Sequence, residues 1–199
     1  MDKKELRKLV MSNLTQLTDV QYFELSKIII EKLLLETAIQ NAQTIAITLS
    51  NRPEVDTYSL IEKLWERKKK VVVPKCSPID RSMQFYEIQN FDQLETVYMN
   101  LREPIPEKTI LRNSDEIDVI IVPGVVYDLN GYRVGFGGGY YDRYLVNYTG
   151  TLISLAFDLQ IRKEVPRESH DVPVDIIISE KSRIACSSNR KELSNEIND

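Results

Sequence analysis

Apolar residues recur at helical spacing through the first 36 residues of the chain, and the pattern then changes. Over residues 3–17, and again over residues 19–36, they return every three or four positions, as on one face of a helix. Thr18 or Asp19 is placed to cap the second of these segments. We therefore predict two amphipathic helices in this N-terminal part.

Short β-branched runs dominate the rest of the chain. They have the length typical of buried strands and cover residues 44–49, 71–73, 119–122, 152–156 and 176–178. Between the first two runs, residues 57–70 carry an apolar stripe beside charged residues and predict a helix. Met83–Ile88 alternates more and predicts an edge strand. Continuous apolar strands separated by helices are typical of a parallel sheet covered on both faces. We expect an α/β fold with three layers, α/β/α, and a mostly parallel central sheet.

The chain has 199 residues and contains no internal repeat or low-complexity linker. One domain over residues 1–186 is therefore the expectation. Residues 187–199 offer little to bury, and we expect a disordered tail there.

Composition and charge exclude several classes of function. Charged residues interrupt the sequence too often for a membrane span, and the first residues lack the apolar region of a signal peptide, which together predict a cytoplasmic protein. A net charge of -4 argues against a protein whose main task is to neutralise nucleic-acid phosphates. Cys76 and Cys186 lie far apart, and His170 is the single histidine, so any metal should be a hard ion with oxygen ligands.

All seven glycines lie between Gly124 and Gly150, and four fall within positions 135–139, which we call the glycine loop. Glycine permits positive φ and lets a ligand approach the backbone closely. A predicted strand precedes the loop and a predicted helix follows it, which suits a phosphate at the helix start. A tight connecting turn is the alternative, but the polar and aromatic residues around the loop favour ligand binding. Tyr140 stands where GxGxxG needs its third glycine and no GK[ST] follows, so neither a P-loop nor an ordinary dinucleotide fold is indicated.

The segment VPGVVYDLNGYRVGFGGGYYDRYL, residues 122–145, closely resembles the signature of the 5-formyltetrahydrofolate cyclo-ligase family. Four further matches support the resemblance: Lys3-x-x-Leu6-Arg7, EVDT at residues 54–57, VP at residues 73–74 and HDVPVDIIISE at residues 170–180. Together they cover nearly the whole chain in order.

The resemblance implies an enzyme with a fold related to the sugar-phosphate isomerase and CoA-transferase group. It implies ATP-dependent ring closure of 5-formyltetrahydrofolate to 5,10-methenyltetrahydrofolate, through phosphorylation of the formyl oxygen and attack by N10, with ADP and phosphate released. ATP would be the co-substrate and Mg²⁺ the metal. We expect a monomer that acts on a small-molecule folate, polyglutamylated folates included, with no nucleic-acid or membrane partner. A sugar-phosphate isomerase-like enzyme of the same fold and a non-catalytic folate-binding module are the alternatives.

Site residues follow from the same resemblance, position by position. ATP is expected at Lys3, Arg7, Arg133, Val134, Gly135, Phe136, Gly137, Gly138, Gly139, Tyr140, Tyr141 and Asp142. Among these, Arg133, Tyr141 and Asp142 are the predicted catalytic residues, and Asp142 is the predicted Mg²⁺ ligand because a hard cation prefers carboxylate oxygen. Glu54 is predicted to bind the substrate, since a carboxylate can accept two hydrogen bonds from a pterin.

Several neighbouring residues leave two interpretations open. His170 and Asp171 form either an acid/base pair or, as we favour, a structural pair, because phosphoryl transfer needs no histidine. Thr57 is expected to be an N-cap of the helix that follows it. Tyr144 and Tyr148 are expected to pack rather than to contact ligands. Some relatives carry basic residues where this chain has Phe136 and Gly138, which leaves fewer cations for phosphate.

Overall fold

The computed structural model describes residues 1–186. Its α-helices are α1 (Lys3–Leu14), α2 (Asp19–Leu33), α3 (Thr37–Asn41), α4 (Tyr58–Glu66) and α5 (Tyr140–Leu145). Its strands are β1 (Thr44–Ile47), β2 (Lys70–Cys76), β3 (Met83–Ile88), β4 (Leu94–Thr96), β5 (Arg102–Pro104), β6 (Ile110–Arg112), β7 (Val119–Ile121), β8 (Val126–Asp128), β9 (Arg133–Val134), β10 (Thr151–Leu155), β11 (Ile161–Arg162), β12 (Ile176–Ile178) and β13 (Arg183–Ala185).

Eight of these strands form one sheet in the order β13-β12-β10-β7-β1-β2-β3-β6. The five strands from β12 to β2 run parallel, with Ile45 of β1 opposite Val71 of β2 and Val119 of β7. Strands β13, β3 and β6 add antiparallel pairs at the two sides. The mostly parallel central sheet of the prediction is therefore confirmed. A three-stranded sheet (β11-β8-β9) and the β4-β5 pair lie beside it.

Alternate residues of the central strands face two separate apolar clusters. Ile45 and Ile47 pack with buried residues of α1, α2 and α4 on one face. Ala46 and Ile120 pack on the other face with Leu145 of α5. Because successive side chains of a strand point to opposite faces, this alternation produces the three layers expected from the apolar runs.

The N-terminal helices agree with the periodicity but end sooner than predicted. Helix α1 ends at Leu14 and α2 ends at Leu33, after which the short helix α3 was not anticipated. The predicted cap is confirmed, because the Thr18 hydroxyl accepts the Gln21 N–H and the Gln21 side chain accepts the Thr18 N–H. No helix of the described residues is long and apolar enough to cross a membrane.

One local prediction was wrong, and another is confirmed in position only. Strand Met83–Ile88 is not an edge strand, because it lies between β2 and β6. Thr57 is the N-cap residue of α4, but its hydroxyl donates to the Thr48 carbonyl and accepts the Ser50 N–H and makes no bond to the helix. The predicted tail, residues 187–199, lies outside the described residues.

The carboxyl ends of three adjacent central strands meet at one edge of the sheet. Strands β1, β7 and β10 are neighbours and parallel, so the residues that follow Ile47, Ile121 and Leu155 lie close together. In open α/β sheets this edge is where ligands bind. The same edge receives the glycine loop, through the segment between β7 and α5.

Candidate functional site

A pocket opens beyond the carboxyl ends of β1, β7 and β10. Its lining comprises Ile47, Thr48, Ser50, Glu54, Val55, Thr57, Ile121, Val122, Pro123, Gly124, Tyr127, Leu155 and Gln160. About half of these residues are apolar, and the others carry hydroxyl, carboxyl or amide groups. Such a wall suits a flat ligand that packs on the apolar residues and is oriented by hydrogen bonds at its edges.

Glu54 supplies the one carboxyl group of the pocket lining. The segment after β1 turns back on itself there, because Glu54 Oε2 accepts the Asn51 N–H at 2.8 Å. Burial raises the pKa of Glu54 to about 7, and the Asn51 hydrogen bond opposes only part of that shift. The predicted substrate-binding residue therefore lies in the pocket, with a carboxyl group that partners from a ligand would help to ionise.

The glycine loop lies between β9 and α5 and bends sharply. Gly137 and Gly139 have φ values of +106° and +66°, in the region where a side chain would be strained. The Arg7 Nε–H donates to the Gly135 carbonyl at 2.7 Å, so α1 reaches the loop as its i, i+4 cations predicted. Arg143 donates to the Gly138 and Gly139 carbonyls from the other side. Hydrogen bonds from two arginine side chains to the backbone carbonyls thus hold the loop in place.

Arg133 and Asp142 form an ion pair across the base of the loop. Arg133 Nη2 lies 2.9 Å from Asp142 Oδ1, and the Arg133 side chain is only 4% exposed. Arg133 Nη1 donates to the Val172 carbonyl at 2.6 Å, and the Val172 N–H donates to Asp142 Oδ1 at 3.1 Å. Both terminal nitrogens of Arg133 therefore bond within the protein, and this network, which we call the loop clamp, joins β9, α5 and the segment before β12.

Lys3 contacts the same segment from the start of α1. Its Nζ donates to Asp171 Oδ2 at 2.6 Å and lies 3.3 Å from Glu168 Oε1. Lys3 thus bonds to residues 168–171, and Arg7, one helical turn later, bonds to the glycine loop; that the two cations share a phosphate site stays a prediction. The His170 side chain is 68% exposed and lies 4.0 Å from the Asp171 carboxylate, which does not support an acid/base pair.

Tyr141 connects the loop to the pocket. Its hydroxyl lies 2.6 Å from Thr48 Oγ1, and Thr48 lines the pocket. Burial raises the pKa of Tyr141, and the Thr48 hydroxyl offsets only part of the shift. Tyr141 therefore keeps its proton at the junction of the two halves of the site.

The two tyrosines further along the chain have structural roles, as predicted. Tyr144 makes an edge-on contact with the Phe85 ring, with the ring centroids 5.0 Å apart. Tyr148 is buried, and its hydroxyl donates to the Ile117 carbonyl at 3.0 Å. Phe136, in contrast, is 52% exposed in the glycine loop, where relatives can carry a cation.

Three residues of the site were not identified from the sequence: Thr48, Tyr127 and Gln160. Thr48 could have been found, because it follows directly the buried run of β1 and the carboxyl end of such a strand is a binding position. Gln160 carries no such signal. It reaches the pocket only because its side-chain amide donates to the Gly124 and Val125 carbonyls.

Residues 1–180 match the model of the 5-formyltetrahydrofolate cyclo-ligase family. The Escherichia coli K12 protein named 5-formyltetrahydrofolate cyclo-ligase is 30% identical over 167 residues, which cover 82% of this chain and 92% of that protein. A mouse protein of the same name is 27% identical over 196 residues, which cover 90% of this chain and 94% of the mouse protein.

Two solved structures have the same fold. The NMR structure of Aquifex aeolicus 5,10-methenyltetrahydrofolate synthetase superposes with a TM-score of 0.83 at 30% identity and covers 95% of each chain. A 5,10-methenyltetrahydrofolate synthetase from Mycoplasma pneumoniae superposes with a TM-score of 0.74 at 27% identity and covers 90% of this chain and 99% of that one. At these coverages the likeness extends over nearly the whole chain.

The raised pKa of Glu54 predicts a stability difference that depends on pH. Between the ordinary value of 4.5 and about 7, the folded protein holds a proton that the unfolded chain has lost. The Glu54 contribution to the free energy of unfolding therefore falls as pH rises through this window, by at most about 3 kcal/mol, and stays low above it. Urea unfolding of wild type and Glu54→Gln across this range measures the difference. Two curves that run parallel with pH would contradict the placement of this carboxyl group.

Proposed function

The chain belongs to the 5-formyltetrahydrofolate cyclo-ligase family, and we propose that its pocket and glycine loop together carry out the ring closure of 5-formyltetrahydrofolate. The reaction is ATP-dependent and yields 5,10-methenyltetrahydrofolate, ADP and phosphate. The observation that carries this assignment is the contact between the two halves of the site. Tyr141 of α5 and Thr48 of the pocket lie 2.6 Å apart, so a nucleotide on the loop and a folate in the pocket would adjoin.

The chemistry needs two ligands held side by side. The formyl oxygen on N5 attacks the γ-phosphorus of ATP, and the bond to ADP breaks. N10 then attacks the activated formyl carbon, the carbon–oxygen bond breaks with loss of phosphate, and N10 gives up its proton. Formamide oxygen is a poor leaving group and its phosphate ester is a good one, so the protein must mainly position the reactants and offset charge.

The loop side of the site suits the triphosphate. Lys3 and Arg7 approach it from α1, and the backbone N–H groups of the glycine loop are the remaining donors available to phosphate oxygens. Arg133 acts in this proposal as a positioning residue, because it is buried and holds Asp142 and Val172. The loop clamp would keep the glycine backbone in one shape while ATP binds and ADP leaves.

The pocket side suits the pterin. The Glu54 carboxylate can accept hydrogen bonds from the 2-amino group and from N3–H, two donors on one edge of the ring. The apolar wall formed by β1, β7 and β10 would pack against the ring faces. The Tyr141 hydroxyl lies between the loop and the pocket and retains its proton. It would donate a hydrogen bond to the formyl oxygen, the atom that takes up the γ-phosphoryl group.

The donor set at the loop fits Mg²⁺. Asp142 uses Oδ1 for Arg133 and Val172, while Oδ2 has no hydrogen bond within residues 1–186. Mg²⁺ usually takes one or two carboxylates plus waters and substrate phosphates, so Asp142 would hold it. When bound, the ion would neutralise charge on the β- and γ-phosphates.

The monomeric state, the absence of a nucleic-acid or membrane partner, a cytoplasmic location and the acceptance of polyglutamylated folates stay predictions of the sequence.

An absorbance assay tests the reaction directly. Purified protein mixed with 5-formyltetrahydrofolate and MgATP should develop the near-ultraviolet band of the methenyl product, and omission of ATP should abolish the rise. A flat trace from folded protein that still binds 5-formyltetrahydrofolate would support the non-catalytic folate-binding module instead.

The same assay can compare the loss of a cation beside the glycine loop with the loss of a cation elsewhere on the surface. Arg7→Met removes a cation and the bond to Gly135, so the KM for MgATP should rise by about tenfold or more. Lys27→Met is the matched control, since Lys27 is 73% exposed on α2 and its ion partner is Glu31 on the same helix. The control should behave as wild type; equal KM values for ATP in all three proteins would remove Arg7 from the site.

Asp142→Asn tests the metal assignment. The asparagine oxygen can still accept from Arg133 and Val172, so the loop should keep its shape, but the charge that attracts Mg²⁺ is lost. We expect the Mg²⁺ concentration for half-maximal rate to rise by about fivefold or more, which corresponds to about 1 kcal/mol. Unchanged Mg²⁺ dependence at limiting metal would show that Asp142 holds no metal.

A further inference from the structure

Tyr127 carries a buried hydroxyl group with no hydrogen-bond partner in the described part of the chain. It belongs to β8, its side chain is fully buried, and it lines the same pocket as Glu54. Ser154 lies near it and donates its own hydroxyl hydrogen to the Val122 carbonyl at 2.7 Å, but the Ser154 oxygen makes no hydrogen bond with the Tyr127 hydroxyl. A buried hydroxyl without a partner is unfavourable, and such a group often has a partner only in the liganded state.

The tyrosine head reaches the pocket wall because residue 124 is a glycine. A Cβ atom at Gly124 would lie 3.0 Å from both Cζ and Oη of Tyr127, closer than side chains normally pack. Gly124 lines the pocket itself. The phenol end of Tyr127 therefore packs directly against Gly124, and both residues line the pocket.

The hydroxyl can act on a ligand only as a donor or acceptor that keeps its proton. Burial raises the pKa of Tyr127, and the Arg133 guanidinium and the Ser154 hydroxyl offset only part of that rise. Glu54 lies close enough to raise the pKa of Tyr127 further. The pocket thus presents a neutral O–H donor in the neighbourhood of a carboxylate acceptor.

That pair matches one edge of a pterin ring. The 2-amino group and N3–H are donors and suit Glu54, and the next group along the edge, the 4-oxo oxygen, is an acceptor. We propose that the Tyr127 hydroxyl donates a hydrogen bond to the 4-oxo oxygen and makes the pocket select 4-oxo over 4-amino pterins. The proposal rests on the proposed function, because it needs the pterin in this pocket with Glu54 on its amino edge.

The physical reason for selection is the mismatch that a 4-amino group would create. A 4-amino N–H could donate to the Tyr127 oxygen, but the phenolic hydrogen would then have no acceptor among the described residues, so a buried donor stays unpaired. Sites that hydrogen-bond a particular polar group discriminate strongly against analogues that lack it. Tyr127 would therefore contribute specificity rather than bond-making chemistry.

Binding measurements on two ligands and two proteins test the proposal. The ligands are 5-formyltetrahydrofolate and its 4-amino-4-deoxy analogue, titrated into wild type and Tyr127→Phe by calorimetry. We expect Tyr127→Phe to weaken the 4-oxo ligand by about tenfold and to leave the 4-amino ligand unchanged or tighter. An unchanged ratio of the two dissociation constants would overturn the proposal.

Tyr148→Phe is the matched control for loss of a buried tyrosine hydroxyl. Tyr148 donates to the Ile117 carbonyl, so its replacement should lower the melting temperature and leave the ligand ratio as in wild type. Tyr127→Phe should not lower the melting temperature, because no protein hydrogen bond is lost. A drop as large as that of Tyr148→Phe, with the ligand ratio unchanged, would assign the Tyr127 hydroxyl a purely structural role.

Glu54→Gln separates this inference from the function on which it rests. If Glu54→Gln weakens both ligands and Tyr127→Phe leaves their ratio unchanged, the pterin site stands and only the selective role of Tyr127 is wrong. If Glu54→Gln leaves both affinities unchanged, the pterin does not bind in this pocket, and the proposed site and the inference both fail.

Discussion

The buried ion pair between Arg133 and Asp142 holds together parts of the chain that are distant in sequence, and the candidate site depends on it. The glycine loop has few side chains of its own, so its shape must come from groups at its base. Arg133 lies before the loop, Asp142 lies after it, and both bond to the backbone of Val172 some thirty residues later. Arg133 is buried whereas Asp142 is 23% exposed, so loss of the Asp142 oxygen atoms would leave Nη2 of the buried guanidinium group without an acceptor, which is destabilising. The glycine loop can therefore keep one defined conformation and still offer its backbone to a ligand.

The sheet accounts for the position of the second ligand. Strands β1, β7 and β10 are parallel neighbours, and their carboxyl ends open onto the pocket that contains Glu54. The bond between Thr48 and Tyr141 joins that pocket to the helix behind the glycine loop. Two adjoining sites, a glycine loop before a helix and a pocket at the carboxyl ends of parallel strands, can thus bring two ligands into contact. The loop clamp holds the glycine loop, the strand ends form the pocket, and the hydrogen bond between Thr48 and Tyr141 connects the two.

Much of the fold could be predicted from the sequence because the buried strands are short, continuous and β-branched. The predicted strand at residues 176–178 matches β12 at both ends. The glycine loop was identified by its local pattern, whereas Glu54 was identified only through the resemblance to the cyclo-ligase family. The interior position of Met83–Ile88 could not be predicted, because its outer neighbour β6 is only three residues long and exposes Ile110 and Leu111, so it resembles a loop. In the sequence, nothing distinguishes Tyr127 from the other aromatic residues. Its hydroxyl group is seen to be unpaired only in the folded structure, where Tyr127 of β8 packs against Gly124.

The most direct test of this account is a solved structure of the chain with 5-formyltetrahydrofolate and a non-hydrolysable MgATP analogue bound together. The account predicts the pterin on Glu54, the triphosphate on the glycine loop, and the formyl oxygen within about 3.5 Å of the terminal phosphorus, as in-line transfer requires. A folate bound outside the pocket, or a triphosphate bound away from residues 135–139, would contradict it.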